Sequence, residues 1–369
     1  TTADGNSGVY ALGVTNYTTD RFLHGYGTRN TFVGRQAGNL TLTTGSATNN
    51  TGIGSNALDS LTTGNSNTAV GRDALTAVTS GSSNTAVGSS ALDSVLNGTN
   101  NTGVGASSLA AVTSGDHNVG IGSDAGSSIT TGGDNTAVGY QALQSATTGY
   151  NSCAFGSGTL NSLTSGIRNS AFGKDSLAAL TTGDENTAVG YNALLVATGD
   201  QNTAVGSLSA DSVTSGIGNT VLGYNSMTAV TSGGHNVVIG DSSGNTLNTS
   251  AGSNIIIKHA GVSGDLNTIR IGTEGSGTSQ INKTFIAGIY NSTTLTSPRP
   301  VVIDANGRLG TNDSGVGAPS FSGAQTGTVA NVLGNGIPWY IGTSPAGYQA
   351  SAILTQLFNN GGGTFYLGD

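Results

Sequence analysis

Charged side chains are scarce in this sequence. Lys and Arg number 11 and Asp and Glu 19 among 369 residues, so charged residues are 8% of the chain, against about a quarter in an ordinary globular domain. The formal net charge is -8, and the basic residues form no cluster that could follow a phosphate backbone. We therefore expect no nucleic-acid partner, and an ordinary globular enzyme is disfavoured.

Cysteine, proline and long apolar runs are also rare or missing. The single cysteine, Cys153, excludes an intramolecular disulfide and a metal site with several cysteine ligands. Five prolines are too few for a collagen triple helix, although the chain has 61 glycines. No apolar run of about eighteen residues occurs, so no membrane span is predicted. The first residues, TTADGNSG, lack a secretory signal segment, which fits a trimmed mature chain or another export route.

What the sequence has in abundance is one short motif. The segment NTAVG and its variants recur, and glycines such as Gly71, Gly88 and Gly105 close them at 17-residue steps. Each unit reads N-T-A-V-G-x-x-A-L, followed by polar residues and a T-S-G or T-T-G turn. Such a fixed period is the signature of a solenoid, and the Gly, Thr, Ser and Asn content disfavours helices. We predict an all-β β-solenoid (β-roll) of about thirteen 17-residue turns.

Three apolar columns follow from aligning the units. They are the residue before the closing glycine (Val70), the Leu of the A-L pair (Leu75) and a third position (Val78). We predict strands at NTAVG and at A-L, positive φ at turn glycines such as Gly64, and all three columns in the core. So thin an interior favours a core shared among three chains. The two irregular intervals, Gly34 to Gly54 and Gly190 to Gly206, are predicted to lie in loops outside the strands.

The asparagine that opens each unit predicts a second kind of stacking. In-register turns would place these amides above one another in a hydrogen-bonded ladder, whereas an isolated turn residue is the alternative. Ser152 interrupts the series. The predicted ladder consists of Asn67, Asn84, Asn101, Asn118, Asn135, Asn169, Asn186, Asn202, Asn219 and Asn236.

The composition divides the chain into four predicted segments. Residues 1–29 are an N-terminal strand or cap, 30–258 the solenoid body, 259–317 a transition β segment, and 318–369 a small β-rich, aromatic-rich unit. That last unit is either a cap with its own core or a joint that docks onto the next subunit and builds a filament. The candidate joint residues are Trp339, Tyr340, Tyr348, Phe358, Phe365 and Tyr366.

The repeat resembles the head repeats of YadA-type trimeric autotransporter adhesins, which have the form N-x-x-A-I-G-x-x-A. The stretches RFLHGYGTRNTFVGRQAGN (21–39) and FIAGIYNSTTLTSPRPVVIDANGRLGT (285–311) also resemble segments that flank repeats in bacterial surface and fibre proteins. The resemblance implies a homotrimeric β-roll displayed outside the cell that acts by binding. The period here is longer, and no heptad stalk or anchor barrel is recognisable, so self-export and tethering do not carry over.

A catalytic or metal-binding pattern is not found. His117 and His235 lie in the same turn of two different repeats, and His24 and His259 have no partner pattern. The scattered aspartates do not form a calcium-binding repeat, and the G-x-x-A-L motif lacks the lysine of a phosphate loop. We predict no catalytic residue, no cofactor and no metal.

Together these observations predict a non-enzymatic, extracellular or cell-surface structural and adhesive fibre protein. Its subunits would assemble head to tail into a filament. The main partner would be other copies of the same chain, and host or surface glycans would be further partners. Loop sequons such as Asn16-Tyr17-Thr18 could carry glycans. The alternative is a receptor-binding tail fibre of a bacteriophage or virus.

Overall fold

The computed structural model describes residues 23–40, 42, 46–273, 301–303 and 309–311. Over these residues the chain forms short β-strands and no helix. The strands are β1 (Leu23–His24), β2 (Thr31–Val33), β3 (Thr51–Ile53), β4 (Thr68–Val70), β5 (Thr85–Val87), β6 (Thr102–Val104), β7 (Val119–Ile121), β8 (Thr136–Val138), β9 (Cys153–Phe155), β10 (Ser170–Phe172), β11 (Thr187–Val189), β12 (Thr203–Val205), β13 (Thr220–Leu222), β14 (Val237–Ile239), β15 (Ile255–Ile257), β16 (Ile269–Ile271), β17 (Val301–Ile303) and β18 (Leu309–Thr311).

Strands β1 to β16 form one sheet in sequence order. From β2 onward each strand is parallel to the next, and residues from the same place in the repeat lie opposite each other, as Ala69 and Ala86 do. The predicted β-solenoid is therefore confirmed, with about 14 turns rather than thirteen. At the usual strand spacing these turns extend about 65 Å along the axis.

The irregular intervals leave this register intact. Thr31 lies opposite Thr51 across the 20-residue interval, and Thr187 lies opposite Thr203 across the 16-residue interval. The extra and missing residues are therefore accommodated between the strands, as predicted. The changes in length can be absorbed because they leave both the strand pairing and the asparagine contacts between the neighbouring turns in place.

The interior is built from small side chains and about two larger aliphatic ones per turn. The middle residue of each strand from β2 to β15 is buried, and Ala86 is fully buried together with Ala91, Leu92 and Val95 of the same turn. A single chain closes this core by itself. The thin interior that favours a core shared among three chains is thus closed within one chain, because alanine in the strand lets the opposite wall of the same turn approach closely.

The first predicted core column lies at the surface instead. Val87 is 38% exposed, Ile121 41% and Leu222 48%. Successive strand residues point to opposite faces, so an inward alanine forces the flanking Thr and Val outward. The core is too narrow for anything larger at most turns. Phe32 fits inside because Gly38 and Gly52 face it, and a Cβ at either would lie 2.4 or 2.9 Å from its ring.

The A-L segment is a turn rather than the second predicted strand. Leu75, Leu92 and Leu143 have left-handed backbones with φ between 51° and 52°. This bend directs the leucine side chain into the core while its N–H bonds to the next turn, as Leu75 N–H does to the Ala91 carbonyl at 3.1 Å. The second and third apolar columns are buried as predicted, although the A-L segments of the described turns form no sheet of their own.

The turn glycines have a different role from the one predicted. Gly64 and Gly81 do not have positive φ. Instead, a Cβ would lie 2.1 Å from the Gly81 carbonyl oxygen at Gly64, and 2.5 Å from the Gly98 carbonyl oxygen at Gly81. Glycine is required there by the close approach of the next turn. Positive φ occurs at the closing glycines, such as Gly71 with φ 143°.

The predicted boundaries change at the C-terminal end of the body. The sheet continues past residue 258 to Ile271, into the predicted transition segment. At the other end β1 pairs antiparallel with β2, through Leu23 opposite Val33. Strands β17 and β18 form a separate antiparallel pair in a second unit that begins at Phe285. The predicted strand in residues 1–20 and the unit 318–369 lie outside the described residues.

Candidate functional site

The opening asparagines form a buried ladder along the solenoid, which is interrupted at Ser152. Asn84 Nδ2 donates to Asn67 Oδ1 at 3.1 Å and to the Gly98 carbonyl at 2.8 Å, and the Asn84 N–H donates to the same Asn67 Oδ1 at 3.0 Å. Both Asn84 and Asn67 are fully buried. Because each amide uses its donors and acceptor within the ladder, burying it does not leave an unpaired polar group. The same contacts occur at Asn67, Asn101, Asn118, Asn135, Asn202, Asn219 and Asn236.

The remaining two predicted ladder residues lie beside the interruption at Ser152. Its N–H donates to Asn135 Oδ1 at 3.1 Å, and its hydroxyl accepts from the Asn169 N–H at 3.4 Å. Asn186 resumes the regular pattern by donating to Asn169 Oδ1 at 3.2 Å. The serine thus keeps the backbone contacts and loses the amide bridge.

The residue directly before each ladder asparagine forms a second column, and the residues of this column have left-handed backbones. His117 and His235 occupy it, both with φ 58°, which agrees with their assignment to turns. Arg168 donates to Glu185 at 2.7 Å, and Gln201 donates to Glu185 at 3.0 Å from the next turn. Hydrogen bonds from Gln201 and Arg168 lower the pKa of Glu185. These exposed contacts link turns at the surface.

Three aspartates in the turns before the ladder asparagines also join neighbouring turns. Asp116 Oδ1 accepts the Thr99 N–H at 2.6 Å, Asp184 Oδ1 that of Ile167 at 2.8 Å, and Asp200 Oδ1 that of Asp184 at 2.9 Å. All three stand two residues before a ladder asparagine. Their shared column was the sequence signal for this role, and it was missed because Asn65, Ser82 and Gly133 occupy it elsewhere.

The outward face of the sheet presents two parallel columns of side chains. One is mostly Thr and the other entirely apolar, and Phe155 and Phe172 stack within it with ring centroids 5.2 Å apart. Cys153 points outward on the same face and is half-buried. Burial raises the pKa of its thiol. The described side chains of this face make no contact with the core of the solenoid.

An ion pair lies at the C-terminal end of the long sheet, beside its last strand β16. Arg270 stands in β16 at the inward position that alanine occupies in half of the strands from β2 to β15, and its Nε lies 2.7 Å from Asp265 Oδ2. The Val262 N–H also donates to Asp265 at 2.9 Å. Hydrogen bonding from Arg270 holds the pKa of Asp265 below its usual range. In the next rung of the ladder, the Thr268 N–H donates to Asn254 Oδ1 at 3.0 Å.

The other candidate residues yield no catalytic centre over the described ranges. His259 Nδ1 accepts the Gly261 N–H at 2.7 Å, the His24 side chain is not described, and the joint candidates Trp339 to Tyr366 lie outside the structure's described part. In the described part of the chain, no three His, Cys, Asp or Glu residues cluster as metal ligands do. Nor does that part contain a helix with the length and apolarity to cross a membrane.

Comparison with known proteins adds no assignment: no protein-family model, curated protein or solved structure matches this chain.

Proposed function

We propose that this protein is a non-enzymatic structural and adhesive fibre protein displayed at the cell surface or outside the cell. In this proposal three chains pack through the outward faces of their sheets, and the trimers join head to tail into a filament. Its main partner is itself, and surface glycans are further ligands. The observation that carries the proposal is the uninterrupted apolar column on the outward face.

That column is unusual for a surface in contact with water. It runs through every turn from Val33 to Ile271, with Phe172 at 40% and Val189 at 38% exposed. Soluble monomers seldom expose one continuous apolar patch beyond a few hundred Å². The core beneath the column is already buried by residues of the same chain. The column therefore plays no part in the core and can contact another molecule.

A second copy of the chain is the occupant that this face fits best. The column has one side chain per turn at constant spacing, so an identical column aligned in parallel can match it rung by rung. The resemblance of the repeats to trimeric adhesin heads favours three chains around one axis. Phe155 and Phe172 follow Cys153 and Ser170, the small residues of the Thr column, so the bulk added in one column is partly removed from the other.

The native cysteine provides the sharpest test. Cys153 lies on the outward face, so a parallel trimer brings three copies to one level near its axis. We expect the full chain to behave as a trimer in light scattering. Mild oxidation at alkaline pH should link two chains of each trimer and leave one unlinked, since the thiolate reacts. Monomeric chains with no disulfide dimer would contradict the proposal.

A matched pair of variants tests the face itself. Val189→Glu places a charge in the apolar column, and we expect it to yield monomers because an unpaired charge is costly to bury. Ala110→Asp is the control, since Asp93 already occupies that column one turn earlier. Equal trimerisation by both variants would exclude this face. Electron microscopy then separates concentration-dependent filaments from the discrete capped rods expected of a virion fibre.

A further inference from the structure

A groove of about 460 Å³ opens on the side of the solenoid at the turns of β8 to β11. Gln141, Gly158 and Asp175 line one edge, and Asn161, Ala178 and Leu195 lie along the other. The groove is open to solvent along its length rather than enclosed. The groove is built entirely from one chain, so it exists independently of any assembly.

A departure from the repeat lies in the wall of the groove. Gly158 stands in a column where the neighbouring turns carry Gln141 and Asp175, and its own φ is 68°. The Asp175 carboxylate extends over this glycine, so that a Cβ at Gly158 would lie 2.3 Å from Asp175 Oδ1. Ala178 and Ala179 deepen the groove because their side chains are small. They lie between the polar pair Asn161 and Ser162 of the preceding turn and the larger Leu195 and Val196 of the following turn.

The lining combines hydrogen-bonding groups with small apolar surfaces. Asn161 Nδ2 donates to the Gln141 carbonyl and to Gln144 Oε1, both at 3.2 Å, and its side-chain oxygen faces no donor among the described hydrogen bonds. Gln141 offers a primary amide, and Ser162 offers a hydroxyl. Such groups recognise hydroxyl-rich ligands by donating and accepting at once.

Two exposed tyrosines stand one residue before the column of Gln141, Gly158 and Asp175, in the turns that follow β8 and β11. Tyr140 is 55% exposed and Tyr191 49%, and they occupy one column three turns apart, which is about 14 Å at the usual strand spacing. Lys174 lies over the Tyr191 ring, 5.6 Å from its centroid, and also pairs with Asp175. The cation thus constrains the ring while its charge is balanced locally.

We propose that this groove binds a neutral oligosaccharide. A sugar ring has C–H groups that pack on aromatic faces and hydroxyls that bond amides, and the two tyrosines span a short chain of sugars. The paired Lys174 and Asp175 leave little charge to attract an ionic ligand. The proposal specifies a site for the glycan partner in the proposed function, on which it rests for its biological setting.

The test is calorimetric titration of the full chain with cellohexaose, maltohexaose and chitohexaose. We expect at least one hexasaccharide to bind saturably, and Tyr140→Ala and Tyr191→Ala each to weaken that binding about tenfold. Gly158→Asn should abolish it, because the new side chain and the Asp175 carboxylate that it displaces would occupy the groove. This variant should fold, because Asn56 in the same column donates to Asp73 of the next turn, as it would to Asp175.

The control is Tyr224→Ala, which removes an equally exposed tyrosine of the same column outside the groove. It should bind like the wild type, and thermal unfolding should show all four variants folded. No binding of any hexasaccharide, or unchanged binding by folded Gly158→Asn, would overturn the proposal. Cysteine cross-linking reports on assembly separately, so a chain that cross-links without binding sugars would refute the groove alone.

Discussion

In strands such as β5, the inward alanine and the outward valine are both apolar, but they differ in size and in exposure to solvent. Ala86 is fully buried, whereas Val87, the larger and more apolar neighbour, is 38% exposed. In most globular sheets the larger apolar residue faces the core. Here the distance between the walls of the turn selects the smaller one. Side-chain volume, rather than hydrophobicity, decides which face of this strand is the core.

The strongest test of this difference is to introduce phenylalanine on each face in turn. We expect Ala86→Phe to lower the free energy of unfolding by about 3 kcal/mol or more, because the filled interior has no space for it. Val87→Phe should change it by less than about 0.5 kcal/mol, because the outward column already accommodates Phe155 and Phe172. Urea denaturation measures both, and equal losses would mean that the two faces are assigned wrongly.

Removing one amide from the ladder should have the next largest effect. Asn101→Ala leaves the Gly115 carbonyl and the Asn118 amide without their buried partner, which we expect to cost about 2–3 kcal/mol. Asn97→Ala is the exposed control and should cost less than about 0.5 kcal/mol. Chemical denaturation of the pair compares buried with solvated asparagine. A neutral Asn101→Ala would show that the ladder is not stabilising.

A methyl group at a turn glycine sharpens the same contrast in the backbone. Gly81→Ala should destabilise the chain by about 1–2 kcal/mol, since the new Cβ meets the Gly98 carbonyl and forces the turns apart. The neighbouring Ser80→Ala has no such contact and should be nearly neutral. Thermal unfolding midpoints of the two variants would reveal the difference, and a stabilising Gly81→Ala would refute the close approach.

The smallest expected effect concerns the ion pair at the end of the core. The folded-state pKa of Asp265 is lowered, so its stabilisation is present above about pH 3.9, the unfolded pKa. It is lost as the pH falls through the lower folded value. We expect below about 1 kcal/mol from this partly exposed pair. Asp265→Asn should lose this pH-dependent part of the unfolding free energy, whereas Asp241→Asn should retain it.

Much of the fold could be predicted because repetition acts as its own alignment. The period, the strand at NTAVG and the loop position of the irregular residues all follow from columns that any in-register stack must share. The A-L segment could not be predicted, because leucine disfavours the left-handed backbone observed at Leu75. Only the hydrogen bond from that residue to the next turn explains the conformation.

The candidate surfaces were less accessible from sequence. Tyr140 and Tyr191 share a column, but Gly158 appears in the sequence as one glycine among 61. Its meaning depends on Gln141 and Asp175, which lie beside it only after the turns stack. The outward apolar column was visible as a pattern and was assigned to the wrong face.

By itself the sequence determined that this chain stacks upon itself, since identical short units can pair only with their copies when every turn repeats the same donors, acceptors and volumes. The tertiary structure alone decided which side of each strand became the core. Strand periodicity offers two equivalent faces, and the distance between facing walls, a property of the closed turn, leaves room for alanine on one and places valine on the other.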